Sequence, residues 1–292
     1  MQLVSNCQSE ESRFQQEHFR GFHSPPYAYP PPKSLLPPLR GHQHEKNVKR
    51  DYRKLGYPEI EFGGFSDVDG TVKFYARISA LLTPDMTLVD FGCGRGAHTE
   101  DPVAYRRNLE NFRGRAGRVI GVDVDGVGLA NPTIDEFRLL PPDGIWPIES
   151  SSVDLVHSSF VMEHLPDPDL FFSEAARVLR SGGYLCLRTP NAWGYVAFVA
   201  RLIPERLHKE VLRRAQPERL EKDVFPTLYR CNSLAKLRRK LSKQGFDGIA
   251  YGCESEPAYL NFWSVAYRVG VLAHKFLPGC FRSAIFVFGR KR

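Results

Sequence analysis

The sequence predicts an α/β fold with a doubly wound parallel sheet and helices on both faces. The first observation is an apolar segment, residues 88–91, that runs into a glycine loop at residues 92–96. The second is another apolar segment, residues 119–123, which ends in an acid about 30 residues after Asp90. The third is the alternation of apolar runs with amphipathic segments between residues 71 and 190, which is typical of parallel sheets.

The composition indicates a chain that can bury a full core. It has 292 residues, of which 42% are hydrophobic and 25% are charged, so we expect one large domain with a tail or a small lid. The six cysteines are scattered and form no C-x-x-C pair. This spacing argues against a zinc site or a disulfide framework and favours a reducing, cytoplasmic environment. The net charge of +7 predicts solubility and some attraction to anionic partners.

Residues 1–54 form a predicted N-terminal arm. Seven prolines fall within residues 23–39, and proline removes amide donors and favours extended conformations. We interpret the arm as disordered; a polyproline ligand for a partner domain is the alternative. Residues 1–20 lack the apolar core of a signal peptide, and no run approaches the roughly 20 apolar residues of a membrane span. We therefore expect a cytoplasmic protein without a transmembrane segment, with peripheral membrane contact left open.

The predicted folded region starts near residue 55. Asp69 or Thr71 caps a helix that runs to about residue 82, and Pro84 ends it. A second helical pattern occupies residues 104–113, and Gly114 closes it. Further strands are predicted at residues 134–140, 153–159 and 184–189, with a helix at 170–179 and a helix C-cap turn at 180–183.

After residue 190 the alternation of predicted strands and helices is interrupted. Residues 201–243 contain thirteen Lys or Arg against five Asp or Glu. We expect residues 191–230 to form a lid, whose basic excess fits an anionic ligand or a membrane surface; a solvated helix face is the alternative. A helix at 233–244, an aromatic helix at 259–276, and closing strands at 246–253 and 283–290 complete the prediction.

The glycine loop and the acid after it mark a candidate cofactor site. Glycine lets backbone amides approach a ligand closely, so the loop predicts a nucleotide-like cofactor. Asp123, at the tip of the second predicted strand, is suited to accept hydrogen bonds from ribose hydroxyls. A solvated loop acid is the alternative for Asp123.

Five motifs follow one another in a set order. They are the glycine loop with Asp90 before it, and the segments at residues 121–123, 146–154, 162–165 and 177–183. In this order and spacing they resemble the class I S-adenosylmethionine-dependent methyltransferases, in the small-molecule group (methyltransferase type 11) similar to enzymes that methylate quinone precursors. The resemblance covers residues 62–292. A nicotinamide-dependent dehydrogenase would carry G-x-G-x-x-G, whereas this loop reads G-x-G-x-G.

The resemblance implies a Rossmann-like, mostly parallel sheet of seven strands with one antiparallel strand, in a methyltransferase domain at residues 55–292. It also implies S-adenosylmethionine as the cofactor. Asp90 suits the cationic amino end of that cofactor and would repel a pyrophosphate. The implied partners of the methionine part are Asp90 and the amides of Gly92, Cys93 and Gly94, in the loop that Gly96 completes.

Other cofactor contacts follow from the same resemblance. Asp123, next to Val124, would take the ribose hydroxyls, and Asp143 with the amide of Gly144 or Ile145 would take adenine. Ser159 and Phe160 would lie under the sulfonium. Arg77 would pair with the methionine carboxylate, with a surface arginine as the alternative.

Glu163 and His164 are the candidate catalytic residues. His164 would remove the proton of a hydroxyl acceptor, because an imidazole pKa of about 6.5 suits neutral pH; a structural role for both residues is the alternative. Some quinone-precursor O-methyltransferases carry Glu-x-x-Glu-His here and are thought to bind a metal. Phe160 stands at the first position of that motif, so we predict no metal site. Residues 226–230 also replace a His-Leu pair of those relatives, which argues against a catechol-like acceptor.

The sequence thus predicts an enzyme that methylates an oxygen or nitrogen of a small molecule. Acceptor specificity is expected in residues 63–70, 191–230 and 259–263, and the basic excess favours an anionic acceptor, such as a sugar- or lipid-linked substrate. An RNA or protein methyltransferase is one alternative, although the lack of an added RNA-binding module argues against nucleic acid. A non-catalytic cofactor-binding protein is the other. The oligomeric state is not predicted.

Overall fold

A computed structural model describes residues 51–195, 197, 226–257, 260–261 and 263–292. All of them belong to one structural unit, which begins at residue 49. Most of the predicted arm at 1–54, most of the predicted lid at 191–230 and part of 259–263 lie outside the described residues. Those predictions therefore stay predictions.

The described residues form a seven-stranded sheet. Its order is β3-β2-β1-β4-β5-β7-β6. The pairs among β1 to β5 are parallel, and β7 runs antiparallel to both β5 and β6. The predicted fold class is confirmed. The strands are β1 (Thr87–Phe91), β2 (Arg118–Asp123), β3 (Glu136–Leu139), β4 (Val153–Ser159), β5 (Leu179–Pro190), β6 (Phe246–Cys253) and β7 (Ala284–Lys291).

Helices flank this sheet, and side-chain caps begin two of them. The Asp69 carboxylate accepts a hydrogen bond from the Val72 amide at the start of α2, and Asp167 does the same for two amides at the start of α4. None of the described helices is long and apolar enough to cross a membrane. The helices in the described part are α1 (Arg53–Gly56), α2 (Gly70–Leu81), α3 (Ala104–Glu110), α4 (Pro168–Val178), α5 (Leu234–Lys243) and α6 (Ser264–Phe276).

The alternation of side chains in β1 divides the core between the two faces of the sheet. Leu88 belongs to a buried cluster with Phe74 and Ile78 of α2. Its neighbour Val89 belongs to the other cluster, with Phe171 of α4. Successive strand residues point to opposite faces. Each such fully buried side chain contributes about 1.5–3 kcal/mol to folding.

An ion pair between the buried Glu174 and the half-buried Arg177 holds the segment that follows β3. The Glu174 carboxylate accepts the Trp146 amide at 2.8 Å and pairs with Arg177 at 2.6 Å. The Arg177 guanidinium also donates to the carbonyls of Trp146 and Ile148. The sequence motifs at residues 146–154 and 177–183 thus contact each other in the fold.

Two predicted helix ends are wrong. Residues 180–183 do not cap α4, because the backbone at Leu179 is already extended; they lie within β5, in a register shift between its pairs with β4, where Gly182 has a left-handed φ of +82°. The helix predicted to residue 113 ends at Glu110, because Asn111 has extended backbone and its side chain accepts the Arg113 amide.

One predicted helix start also differs, whereas α3 begins at Ala104 as predicted. A short 3₁₀ turn, Ala97–Glu100, follows the glycine loop before α3 begins. The aromatic helix predicted from residue 259 begins at Ser264, since the backbone at Trp263 is extended.

Candidate functional site

Gly92 fixes the glycine loop (residues 92–96) to the sheet. Its amide donates to the Val122 carbonyl at 2.7 Å, and its φ of +78° lies in the left-handed region. A Cβ at this position would lie 2.3 Å from Cγ2 of Val161, so only glycine fits. The amide is therefore committed to the protein. This corrects the expectation that Gly92 donates to the methionine part of the cofactor.

Gly94 gives the loop its open surface. A Cβ there would find no atom within 4 Å, although the φ of +49° is again left-handed. The Gly94 amide donates to Oδ2 of Asp123 at 2.8 Å. On the other side, the Asn131 side chain donates to the carbonyls of Cys93 and Gly94 and packs against Gly96. Asn131 lies in no sequence motif, so the sequence did not reveal it.

Asp90 is a mostly buried carboxylate beside the glycine loop. It belongs to β1, and Oδ1 lies 3.3 Å from Nε2 of His157 in β4. The pKa of Asp90 is raised to about 7, mainly by burial; the charge of His98 opposes this rise and the charge of Asp123 adds to it. Burial lowers the pKa of His157 to about 3, so the histidine is neutral and the contact is not an ion pair. Within the described part of the chain, Asp90 accepts no hydrogen bond.

Asp123 lies beside the loop at the carboxyl end of β2. Besides the Gly94 amide, its carboxylate accepts the Asp125 amide at 3.1 Å through Oδ1. A carboxylate offers about four lone-pair sites, so two remain for hydroxyl donors. Val124 next to it is 63% exposed, which leaves an apolar surface beside these lone pairs.

The turn at residues 141–145 is the region assigned to adenine. Oδ1 of Asp143 accepts the Ile145 amide at 3.0 Å, and the Gly144 amide donates to the Pro141 carbonyl at 2.9 Å. Both amides that the sequence assigned to adenine are thus used inside the turn, which corrects that assignment. The exposed Ile145 side chain, at 46%, offers an apolar surface there.

Ser159 and Phe160 end β4 next to a buried arginine. Oγ of Ser159 accepts a hydrogen bond from Nε of Arg188 at 2.9 Å, and the Phe160 amide donates to the Arg188 carbonyl at 2.8 Å. The guanidinium lies 4.6 Å from the centre of the Phe160 ring. Phe160 has a left-handed φ of +58°, a strained conformation for a bulky residue that is typical of functional sites.

Glu163 and His164 lie against the segment at residues 226–229. Nδ1 of His164 is 2.9 Å from the Pro226 carbonyl, so Nδ1 carries the hydrogen and Nε2 is the nitrogen that can accept a proton. The Glu163 carbonyl accepts the amides of Leu228 and Tyr229. The Glu163 side chain is buried and accepts a hydrogen bond from Thr189 at 3.3 Å. Glu163 therefore positions the segment, and His164 is the residue suited to proton transfer.

Arg188, and not the predicted Arg77, lies next to the candidate site residues. Arg77 donates to the Lys73 carbonyl and lines a cavity with Tyr251 and Cys253, and the described lining contains no residue of the glycine loop. The structure therefore gives no support to Arg77 as a cofactor ligand. Arg188, which the sequence reasoning missed, contacts Ser159 and Phe160 instead. Its signal was present: an arginine stands in an otherwise apolar predicted strand, residues 184–189.

This sheet order, with its antiparallel β7 and a glycine loop flanked by Asp90 and Asp123, defines the class I S-adenosylmethionine-dependent methyltransferases. A family model described as a methyltransferase domain matches residues 69–251, more than half of the chain. The chain belongs to this family, whose methyl donor is S-adenosylmethionine.

Relatives match over part of their length. A protein of Mycolicibacterium smegmatis named as a probable S-adenosylmethionine-dependent methyltransferase is 36% identical over 107 residues, covering 36% of this chain and 38% of that protein. The malonyl-[acyl-carrier protein] O-methyltransferase of Hahella chejuensis is 34% identical over 113 residues, covering 35% of this chain and 36% of that protein. The ubiquinone biosynthesis O-methyltransferase of Nitrosomonas europaea is 23% identical over 141 residues, covering 43% and 56%. The chain thus spans roughly a third to just over half of these relatives.

Solved structures of the same class also match. A methyltransferase from Archaeoglobus fulgidus superposes with a TM-score of 0.46 at 17% identity, covering 80% of this chain and 97% of that one.

The residues at the carboxyl ends of β1 and β2 fit this cofactor. Asp90 presents a carboxylate without a hydrogen-bond donor from the described residues, which suits an ammonium group. Gly94 leaves open space above the loop, and the exposed side chains of Val124 and Ile145 supply apolar surface for an adenosine. Among the described residues, no group of three His, Cys, Asp or Glu side chains is arranged to hold a metal ion.

Proposed function

We propose that the protein transfers a methyl group from S-adenosylmethionine to an oxygen, or a nitrogen, of a small anionic acceptor. The observation that carries this is the row of groups across adjacent strands: Asp123 on β2, Asp90 on β1, and Ser159 with Phe160 on β4. The row spans the point between β1 and β4 where the strand order reverses, which is where ligands bind in such sheets.

The cofactor supplies a methyl group that is already activated on a sulfonium. The chain's own task is alignment. Asp90 holds the ammonium end, Asp123 accepts from the ribose hydroxyls, and Phe160 covers the reacting region. Alignment of two reactants contributes about 7–11 kcal/mol in favourable cases.

His164 removes the acceptor proton in this proposal. Donation from Nδ1 to the Pro226 carbonyl orients the ring and leaves the proton to be taken by Nε2. A positioned general base contributes about 10²–10⁴-fold in rate. Glu163 is a positioning residue, because its carbonyl and carboxylate bind the segments on either side of the ring.

Support for oxygen as the acceptor atom comes from the relatives, two of which are O-methyltransferases by name. Support for an anionic acceptor comes from the basic excess across residues 201–243. The cysteines that the structure describes are free, four of them buried, which supports a reducing, cytoplasmic location. Residues 55–292 stay the predicted catalytic domain.

Calorimetric titration with S-adenosylmethionine tests the proposal. Wild-type protein is expected to bind, and Asp123→Asn is expected to weaken binding by about 10–100-fold, because a hydrogen bond to a charged group contributes about 1.5–3 kcal/mol. Asp125→Asn is the matched control, since Asp125 is exposed and caps only a short turn. Absence of wild-type binding at about 1 mM cofactor, or equal effects of the two variants, would contradict the proposal.

A further inference from the structure

Arg188 is a buried cation at the edge of the proposed site. It is 7% exposed. Nε donates to the Ser159 hydroxyl and Nη1 to the Thr71 hydroxyl, both at 2.9 Å. Three aromatic rings surround the guanidinium, at 4.6 Å for Phe160, 5.3 Å for Tyr75 and 5.5 Å for Phe74.

All of these contacts are made to neutral groups, so none of them is an ion pair with the charge of Arg188. Across the described part of the chain, no carboxylate forms an ion pair with it; Glu110 acts on it only at longer range. Burial of a charge is unfavourable, and ring contacts offset only part of that cost. The guanidinium is therefore suited to bind an anion directly.

The guanidinium also keeps an unused donor. Nη2 makes no hydrogen bond to a described residue, and it is not closed off from solvent. Nη2 carries two N–H donors, and arginine N–H groups form strong, charge-assisted hydrogen bonds to carboxylate and phosphate oxygens. Nη2 is thus the group through which a ligand can reach the buried charge.

The sheet order indicates on which side of the cofactor this anion lies. Cofactor groups run from Asp123 on β2, over Asp90 on β1, to Ser159 on β4. Arg188 is on β5, one strand further in the same direction, and pairs in register with Ser159. In the proposed function Ser159 and Phe160 lie under the sulfonium, so Arg188, one strand further, is on the side of the methyl acceptor.

We propose that Arg188 binds a carboxylate or phosphate group of the methyl acceptor and selects anionic acceptors, with the Phe160 ring against the same group. This inference rests on the proposed function. It assigns a specificity residue to the reaction and identifies the acceptor by the anionic group that it carries near the reacting atom.

The test uses three probes on protein saturated with S-adenosylhomocysteine: benzoate, phenyl phosphate and the neutral benzamide. Calorimetry on the full chain is expected to show that at least one anion binds about tenfold or more tightly than benzamide. Arg188→Gln is expected to abolish this preference and to leave the affinity for S-adenosylhomocysteine within about threefold of wild type. Arg115→Gln is the control, because Arg115 also lies over a phenylalanine ring and donates to a serine hydroxyl, at an exposed position.

Three results would overturn the inference. The first is no preference for either anion in the wild-type protein, and the second is an unchanged preference in Arg188→Gln. The third is a loss of S-adenosylhomocysteine affinity with the anion preference intact, which would assign Arg188 to the cofactor carboxylate. If Arg188→Gln does not fold, Arg188→Lys is expected to weaken the anion by at least about threefold, and an unchanged affinity would overturn the inference. Failure of wild-type protein to bind S-adenosylhomocysteine would instead contradict the proposed function.

Discussion

Oδ1 of Asp90 lies 3.3 Å from Nε2 of His157, and the two residues face each other across β1 and β4. The histidine is neutral at physiological pH, since burial lowers its pKa to about 3. The ionised carboxylate therefore has no compensating cation from this partner. Its charge is available to the ammonium of a cofactor.

The affinity for S-adenosylhomocysteine should depend on pH through Asp90. Because burial raises the pKa of Asp90 to about 7, most of the unliganded protein is protonated at this site below that pH. The dissociation constant is expected to fall about tenfold per pH unit between about pH 5 and 6.5 and to level off near pH 7. Calorimetry over this range measures it. Asp90→Asn should bind weakly and without this slope; the same slope in the variant would contradict the assignment.

Asp90 should also reduce the stability of the unliganded protein. Its pKa is raised from 3.8 to about 7, so between these values the unfolded chain releases a proton that the native state retains. The free energy of unfolding then falls as pH rises through this window, and Asp90→Asn removes that loss. The variant is expected to be more stable by about 2–4 kcal/mol at pH 8 and by less at pH 5. Urea unfolding at both pH values measures the difference, and an equal difference at the two would contradict the prediction.

Gly94→Ala should separate cofactor binding from folding. The new methyl group meets no protein atom within 4 Å, but it occupies space above the loop. We expect a loss of about 1–2 kcal/mol of stability from the left-handed backbone, and at least about tenfold weaker cofactor binding. Gly114→Ala is a matched control, because Gly114 has a φ of +76° and equally open space outside the site. Equal cofactor affinity in the two variants would contradict the role of Gly94.

His164→Asn should test the proposed base. The asparagine amide retains a donor for the Pro226 carbonyl and removes the nitrogen that accepts the proton. We expect kcat to fall by about 10²–10⁴-fold with cofactor affinity unchanged. Release of S-adenosylhomocysteine with an acceptor that the wild-type enzyme methylates measures this. Wild-type kcat in the variant would remove His164 from the mechanism.

Arg177→Met should destabilise the fold without a role in chemistry. Glu174, with 7% of its side chain exposed, would lose its ion pair, and the carbonyls of Trp146 and Ile148 would lose donors. The expected loss is about 1–3 kcal/mol in urea unfolding at pH 7. Arg180→Met is the comparison, since the exposed pair of Arg180 with Asp154 contributes about 0–1 kcal/mol. Losses of similar size would contradict the account of the Glu174 pair.

The sequence predicted elements best where periodicity is strong. Residues 153–159 and 246–253 agree with β4 and β6 at both ends, and the Asp69 cap of α2 is confirmed. The errors lie at helix ends, where a local side-chain contact, as at Asn111, or pairing with a neighbouring strand, as at Leu179, sets the backbone direction. At Leu179 the chain passes from α4 directly into β5, because Leu179 already pairs with Val153 of β4; the two glycines lie in the register shift that follows, before pairing resumes at Tyr184.

The sequence by itself predicted the fold class and the family, both of which are confirmed, and singled out Asp90 and Asp123 as the acids proposed to bind the cofactor. Side chains repeat every 2 residues in a strand and every 3.6 residues in a helix, and glycine spacing constrains a loop locally. These features can therefore be recognised from the order of residues alone. Only the tertiary structure decided that the amides of Gly92, Gly144 and Ile145 are already used, that Asp90 has a raised pKa, and that Arg188 rather than Arg77 borders the site. These properties depend on burial and on neighbours that are distant in sequence, because electrostatic energy and hydrogen-bond satisfaction are set by position in space.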